Sequence, residues 1–320
     1  MKVFAAHNPD FTIRTNSSSG GVFSTLATWI LEGGGVVYGA AFSDTFEVEH
    51  KRITNVDDLD SLRRSKYVFS NFSSSVSDAL KDLESGRRVL FSGTPCQIAA
   101  VNKSASDNPL LVTVEVICHG APEPIFWEIY LNEFCQKHGL RRQDIARINF
   151  RDKSDGGWKN FSITIDTIDG RHFSQPYGAN DYMRSFLDNY TLRKACFRCP
   201  FKYPDGSKAD ISLGDLWGIE TVAPQIDNNL GTTLVIARTL KGIEACRALE
   251  PLCDIDLGEA AVHNPAITDT FPQPDGFEKF RSTALNRSFA EATRRFTYPS
   301  LRQRIAERLA GMWSNFRKQR

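Results

Sequence analysis

The spacing of apolar and polar positions changes repeatedly along this chain of 320 residues, and each change predicts an element. After a polar start, Asn16-Ser17-Ser18-Ser19-Gly20-Gly21 leads into Val22 to Leu31, whose apolar positions suit one helical face. Gly33-Gly34-Gly35 ends that helix, and Val36 to Ala40 reads as a buried strand. A second strand is expected over Val48 to Ile53, a short helix over Asp57 to Arg63 and another over Ser77 to Glu84. Arg88 to Phe91 reads as a strand that stops at Ser92-Gly93-Thr94-Pro95-Cys96-Gln97, and Leu110 to Ile117 as one that stops at Cys118-His119-Gly120. Pro124 to His138 has a helical period, and Ile148 to Arg151 reads as a strand. Phe161 to Ile168 and Arg171 to Gln175 alternate on either side of Asp169-Gly170, the pattern of a β-hairpin. Residues 178–188 suit a helix and Thr232 to Arg238 a strand.

Strands and helices are thus intermixed, and the expected fold is α/β, a mixed sheet with helices on both faces and a C-terminal helical tail. Three parts are expected: residues 1–80, a cysteine-bearing 81–255, and a helical extension over 256–320. From Arg294 onward eight basic residues face one acid, Glu307, while Leu301, Ile305, Leu309, Met312 and Phe316 form a helical stripe. A basic amphipathic helix suits an anionic membrane surface or a protein partner, and equally its own domain.

Charge narrows the function. Lys plus Arg number 39 against 38 Asp plus Glu, so no overall field favours nucleic acid. The N-terminus lacks the pattern of a secretory signal, and no run of 18 apolar residues occurs. The expected compartment is the cytoplasm, with the tail as the one candidate for a peripheral membrane contact.

Seven cysteines in a reducing compartment need a reason other than disulfides. Cys135, Cys246 and Cys253 fall inside or beside helical-looking apolar stretches and read as small core residues. Cys96, Cys118, Cys196 and Cys199 lie among Gly, Pro and His at turns, where ligands are displayed. Cys196-Phe197-Arg198-Cys199 can aim two sulfurs at one metal. A four-cysteine set completed by Cys96 and Cys118 could hold zinc or a [4Fe–4S] cluster, or no metal at all. Ser17 to Gly21, before a helix, suits a phosphate or a plain N-cap. Neither GxGxxG nor GxxxxGK[ST] is present.

These segments together resemble the beta-subunit family of coenzyme F420-dependent hydrogenases and dehydrogenases, which includes chlorophyll-modifying reductases. The matching residues run from Ser17-Ser18-Ser19-Gly20-Gly21-Val22-Phe23 through Gly35 to Ala40 and Ser65-Lys66-Tyr67-Val68 to Gly93-Thr94-Pro95-Cys96-Gln97. They continue with Cys118-His119-Gly120, Phe150-Arg151-Asp152-Lys153, Gly157-Trp158, Cys196 to Cys199, Asp210-Ile211 and Gly214-Asp215-Leu216-Trp217-Gly218.

The resemblance implies an iron–sulfur flavoprotein oxidoreductase. It implies a [4Fe–4S] cluster on Cys96, Cys118, Cys196 and Cys199, and FAD held by the N-terminal part. Ser17, Ser18, Ser19, Gly20, Gly21, Ser65, Lys66 and Tyr67 match the flavin-embracing region, with Lys66 expected to offset the pyrophosphate charge. Thr94, Gln97, Asp215 and Trp217 join that set, Asp215 as a cap and Trp217 as a cover for a cofactor face. His119 is a candidate to tune the cluster or relay a proton, and Lys153 to contact an anionic substrate or cofactor. Many members carry a ferredoxin-like domain ahead of the segment matching Lys2 to Ala6. A separate ferredoxin-like donor is therefore expected, together with a small-molecule substrate or a deazaflavin. The competing expectation is a non-catalytic scaffold, metal-free or holding zinc.

Overall fold

A computed structural model describes residues 1–105 and 107–298. Its strands are β1 (Lys2–Ala6), β2 (Val36–Phe42), β3 (Val48–Ile53), β4 (Val89–Gly93), β5 (Leu111–Val116), β6 (Ile145–Asp152), β7 (Ser162–Thr167), β8 (His172–Pro176), β9 (Ile211–Asp215), β10 (Thr233–Ala237) and β11 (Pro251–Asp254). Among the described residues eight of these form one sheet in the order β11-β1-β10-β9-β5-β4-β2-β3, and β6-β7-β8 form a second. At the centre β2, β4, β5 and β9 run parallel, while β3 and the β10-β1-β11 side are antiparallel. The sheet is mixed, as the alternating elements imply.

Its two faces are covered because side chains alternate along each strand. Val37, Leu90, Val112, Ile211 and Val235 pack with Leu26 and Ile30 of the helix Val22–Glu32, whereas Val36, Tyr38, Phe91 and Leu111 pack with Ala79, Leu83, Ile98 and Val101 of the helices Ser73–Glu84 and Pro95–Ala105. The helix Pro124–His138 and the C-terminal helices Phe277–Asn286 and Phe289–Phe296 share an aromatic core with the small sheet, built on Phe126, Trp127, Phe150, Tyr182, Phe280 and Phe289. The basic amphipathic stripe from Leu301 to Phe316 lies outside the described residues.

Three elements depart from the sequence reading. The polar start is β1, an inner strand between β10 and β11. The segment after Ala209 is β9, whose Ser212 is fully buried and whose polar neighbours satisfy one another across the sheet. Cys253 lies in the edge strand β11, not beside a helix, and is half-buried.

Candidate functional site

The parallel strands β4, β5 and β9 end on one edge of the sheet, where open α/β sheets place ligands. Cys96 follows β4 in the first turn of the helix Pro95–Ala105, and Cys118 follows β5. Thr94-x-x-Gln97 shapes that helix start: Gln97 Oε1 accepts from the Thr94 backbone N–H at 2.9 Å and from Thr94 Oγ1 at 3.1 Å. Thr94 Oγ1 also lies 3.2 Å from Cys96 Sγ. Gln97 Nε2 in turn donates to Ser70 Oγ at 2.9 Å, so the cysteine turn is tied to the neighbouring loop. Cys196 lies in the short helix Lys194–Arg198 and Cys199 closes it. The backbone N–H of Ala121 donates to Cys196 Sγ at 3.4 Å.

All four cysteines line one cavity of about 50 Å³. Among the described residues no three His, Cys, Asp or Glu side chains form a single-ion site; the thiols stand around the cavity instead. Burial pushes the Cys118 thiol up to about 12, with Lys202 opposing and the other three thiols reinforcing. Lys202 Nζ donates to the carbonyls of Cys118 at 2.6 Å and Ala266 at 2.8 Å. On the same wall Glu115 Oε1 accepts from Ser207 at 2.7 Å and from Ser212, while Glu115 Oε2 and Arg238 Nε are buried without partners among the described residues. A soft, four-thiol donor set with basic groups around it fits a thiolate-ligated metal centre.

A second cavity, of about 580 Å³, adjoins the first. It is lined by Ser17, Ser18, Ser19, Gly21, Ser65, Lys66, Tyr67, Thr94, Gln97, His119, Asp215 and Trp217, twelve of the fourteen residues expected at the cofactor or catalytic site. At one end the helix Val22–Glu32 begins with Gly21, left-handed at φ 83° and lacking a side-chain cap. Uncapped helix N–H groups beside three serines fit a phosphate.

Gly20 and Lys153 are the two expected residues absent from that wall. A Cβ on Gly20 would come within 2.8 Å of the Ala6 carbonyl and 2.9 Å of the Thr233 nitrogen, so this glycine lets the serine turn pack against β1 and β10. Lys153 is buried, and its Nζ donates to the carbonyls of Arg14, Ser19 and Leu230 at 2.9, 2.8 and 2.7 Å. It braces the turn from behind, with its amine taken by these carbonyls. Lys66 lines the cavity, but its amine is also taken, donating to the Ser61 and Arg63 carbonyls at 3.0 and 2.6 Å, and burial pushes its pKa down to about 7. Arg63 and Arg64 line the same wall, and each is paired with Asp60.

His119 lines both cavities. Its Nε2 is 2.7 Å from Asn189 Oδ1 and its ring lies 3.9 Å from that of Phe271. Burial lowers its pKa, with Asn189 opposing, so the ring is neutral near pH 7. Asp215 is no turn cap: it accepts from Arg151 Nη1 at 2.6 Å and from Trp158 Nε1 at 2.9 Å. Trp217 stacks on Trp158 with centroids 4.8 Å apart. Sequence reasoning left Arg151, Lys202, Glu115 and Arg238 without roles. Arg151 alone had a signal, its place in the Phe150-Arg151-Asp152-Lys153 motif.

Residues 86–260, more than half of the chain, match the family described as the C terminus of the coenzyme F420 hydrogenase/dehydrogenase beta subunit. In structure the chain is similar to a chain of the F420-reducing [NiFe] hydrogenase complex from Methanosarcina barkeri, determined as a xenon derivative. The TM-score is 0.51 at 18% identity, over 92% of this chain and 90% of that one. At that identity the likeness is one of fold. No curated protein sequence matches.

Proposed function

The chain belongs to the coenzyme F420 hydrogenase/dehydrogenase beta-subunit family, and on that premise we propose that it is an iron–sulfur flavoprotein oxidoreductase. Cys96, Cys118, Cys196 and Cys199 would hold a [4Fe–4S] cluster, and the large cavity would hold FAD, its pyrophosphate at Ser17 to Gly21 and the helix start at Val22. The observation that carries this reading is the shared wall: Val116 to Ala121, with Thr94, borders both cavities. A flavin exchanges two electrons with a substrate and single electrons with a cluster, so the pair couples two-electron to one-electron chemistry.

The protein's own residues then have defined tasks. Thr94 and the Ala121 N–H lie beside two of the sulfurs. Tyr67 and Trp217 supply aromatic walls. His119 Nε2 is engaged by Asn189, which leaves Nδ1 as the atom to exchange a proton with a bound molecule. The substrate is a small molecule, with deazaflavin F420 the first to test. Electrons come from a ferredoxin-like partner; that the fold relative works within a multi-subunit complex is in keeping with a protein partner. Seven free cysteines suit a reducing, cytoplasmic setting.

Purification without oxygen, a visible spectrum, and assays of iron, sulfide, zinc and released flavin test the proposal. About four irons and one flavin per chain are expected. Zinc without flavin would make the protein a scaffold instead.

A further inference from the structure

Arg151, at the end of β6, carries an unfilled hydrogen-bonding fork. Its side chain is buried, with only 4% exposed. Nη1 is engaged by Asp215 at 2.6 Å and by the Tyr67 hydroxyl at 3.3 Å. Nε and Nη2 are both buried and have no partner among the described residues. Those two nitrogens form the side-on edge of a guanidinium, the edge that takes both oxygens of a carboxylate. The same chain shows that edge filled elsewhere, where Arg52 Nε and Nη2 each donate to Asp82 at 2.8 Å. Two orphaned donors on one buried cation are costly and call for an acceptor.

Surrounding charge and shape favour an anion. Arg14 and Lys153 are also buried, and among the described residues neither pairs with a carboxylate; their donors go to neutral oxygens. Burial, and after it the charges of Arg151 and Arg14, push the Lys153 pKa down to about 7, with Asp215 opposing. Arg151 is bonded to one carboxylate, Asp215, whose charge also reaches Lys153. The guanidinium carbon lies 4.3 Å from the Phe161 ring centre and 5.3 Å from that of Trp217, and all three residues line the large cavity.

We propose that Arg151 seats a planar anionic group with two adjacent acceptor atoms, presented by a molecule bound in the large cavity. The inference rests on reading that cavity as the reacting chamber. Two sources share this chemistry, a substrate carboxylate and the N1 and C2-carbonyl edge of the flavin ring, which gains its negative charge on reduction.

The test is calorimetric titration of the full chain, flavin-free and flavin-loaded, with formate and benzoate against their neutral amides. The anions should bind at least about tenfold tighter than the amides, and Arg151→Lys, which keeps a cation beside Asp215 but loses the fork, should erase that preference. Anion binding that survives flavin loading assigns the seat to a substrate carboxylate. Binding blocked by flavin assigns it to the flavin ring. Equal affinity for anion and amide in the unmodified protein, or an unchanged preference in Arg151→Lys, overturns the proposal. Should the chain take up no flavin, the flavin-free titration still decides the matter of the fork.

Discussion

Lys202 Nζ donates to the Cys118 carbonyl at 2.6 Å, placing a partly buried amine behind the most deeply buried of the four thiols. Burial lowers the Lys202 pKa, while Cys118, Cys199 and Cys196 pull it back up. A cation there stabilises the more negative, reduced state of a thiolate-bound centre. Lys202→Met should therefore lower the midpoint potential of the reconstituted centre by on the order of 50–100 mV. Lys202→Arg should restore most of it. A redox titration followed by electron paramagnetic resonance reads the shift, and an unchanged potential in Lys202→Met would remove Lys202 from the electrostatics of the site.

The seven thiols should separate cleanly by mutation. Serine at Cys96, Cys118, Cys196 or Cys199 should abolish or strongly reduce iron binding, since each supplies one wall position of the same cavity. Cys246→Ser should keep its iron and lose stability, by about 1–3 kcal/mol, because Cys246 is packed in the main core with Leu249 and Ala245. Iron per chain and urea midpoints measure the two effects. Full iron in Cys118→Ser would contradict the ligand assignment.

Lys153→Met should behave as a structural lesion. Three carbonyls lose the ammonium, and two of them, Ser19 and Leu230, keep no other donor among the described residues, so the expected cost is about 2–4 kcal/mol. Since the Ser19 carbonyl is one of the three, flavin retention should weaken together with stability. A Lys153→Met protein of normal stability with only a raised KM would instead give this lysine a direct substrate contact.

His50 predicts a pH dependence. Its Nε2 lies 2.8 Å from the Ser92 carbonyl, so that nitrogen carries the proton, and Nδ1 accepts from Ser70 Oγ at 3.0 Å. Burial pushes its pKa down from 6.5 to about 4. Between those values the unfolded chain binds the extra proton, so the stability contribution is complete above about pH 6.5 and is lost as pH falls toward 4. At pH 5 the loss is about 2 kcal/mol. Unfolding curves at pH 7.5 and 5 should differ by that much more in the unmodified chain than in His50→Gln. Equal differences in the two proteins would show that the ring is not held neutral. Because Ser70 also accepts from Gln97, acid should loosen the Cys96 turn as well.

Local sequence determined what local forces control. The helix Pro124–His138 and the strand Val48–Ile53 have the bounds their periodicity implies, since amphipathic spacing and turn residues act within a few positions. The four cysteines that line one cavity could be told from the packed ones by the turns around them, and the ordered motifs carried the family. Tertiary structure alone decided the rest. β1 has short, Ala-rich local character and becomes an inner strand through partners more than 200 residues away. The pairing of Val114 with Ile211 across β5 and β9 puts the Cys118 turn and Asp215 on one sheet edge, a register that no window of sequence encodes. Lys153 and Arg151 lie two positions apart in one motif. One meets three carbonyls and the other keeps an empty fork, because what surrounds a buried charge is set by distant segments that close around it.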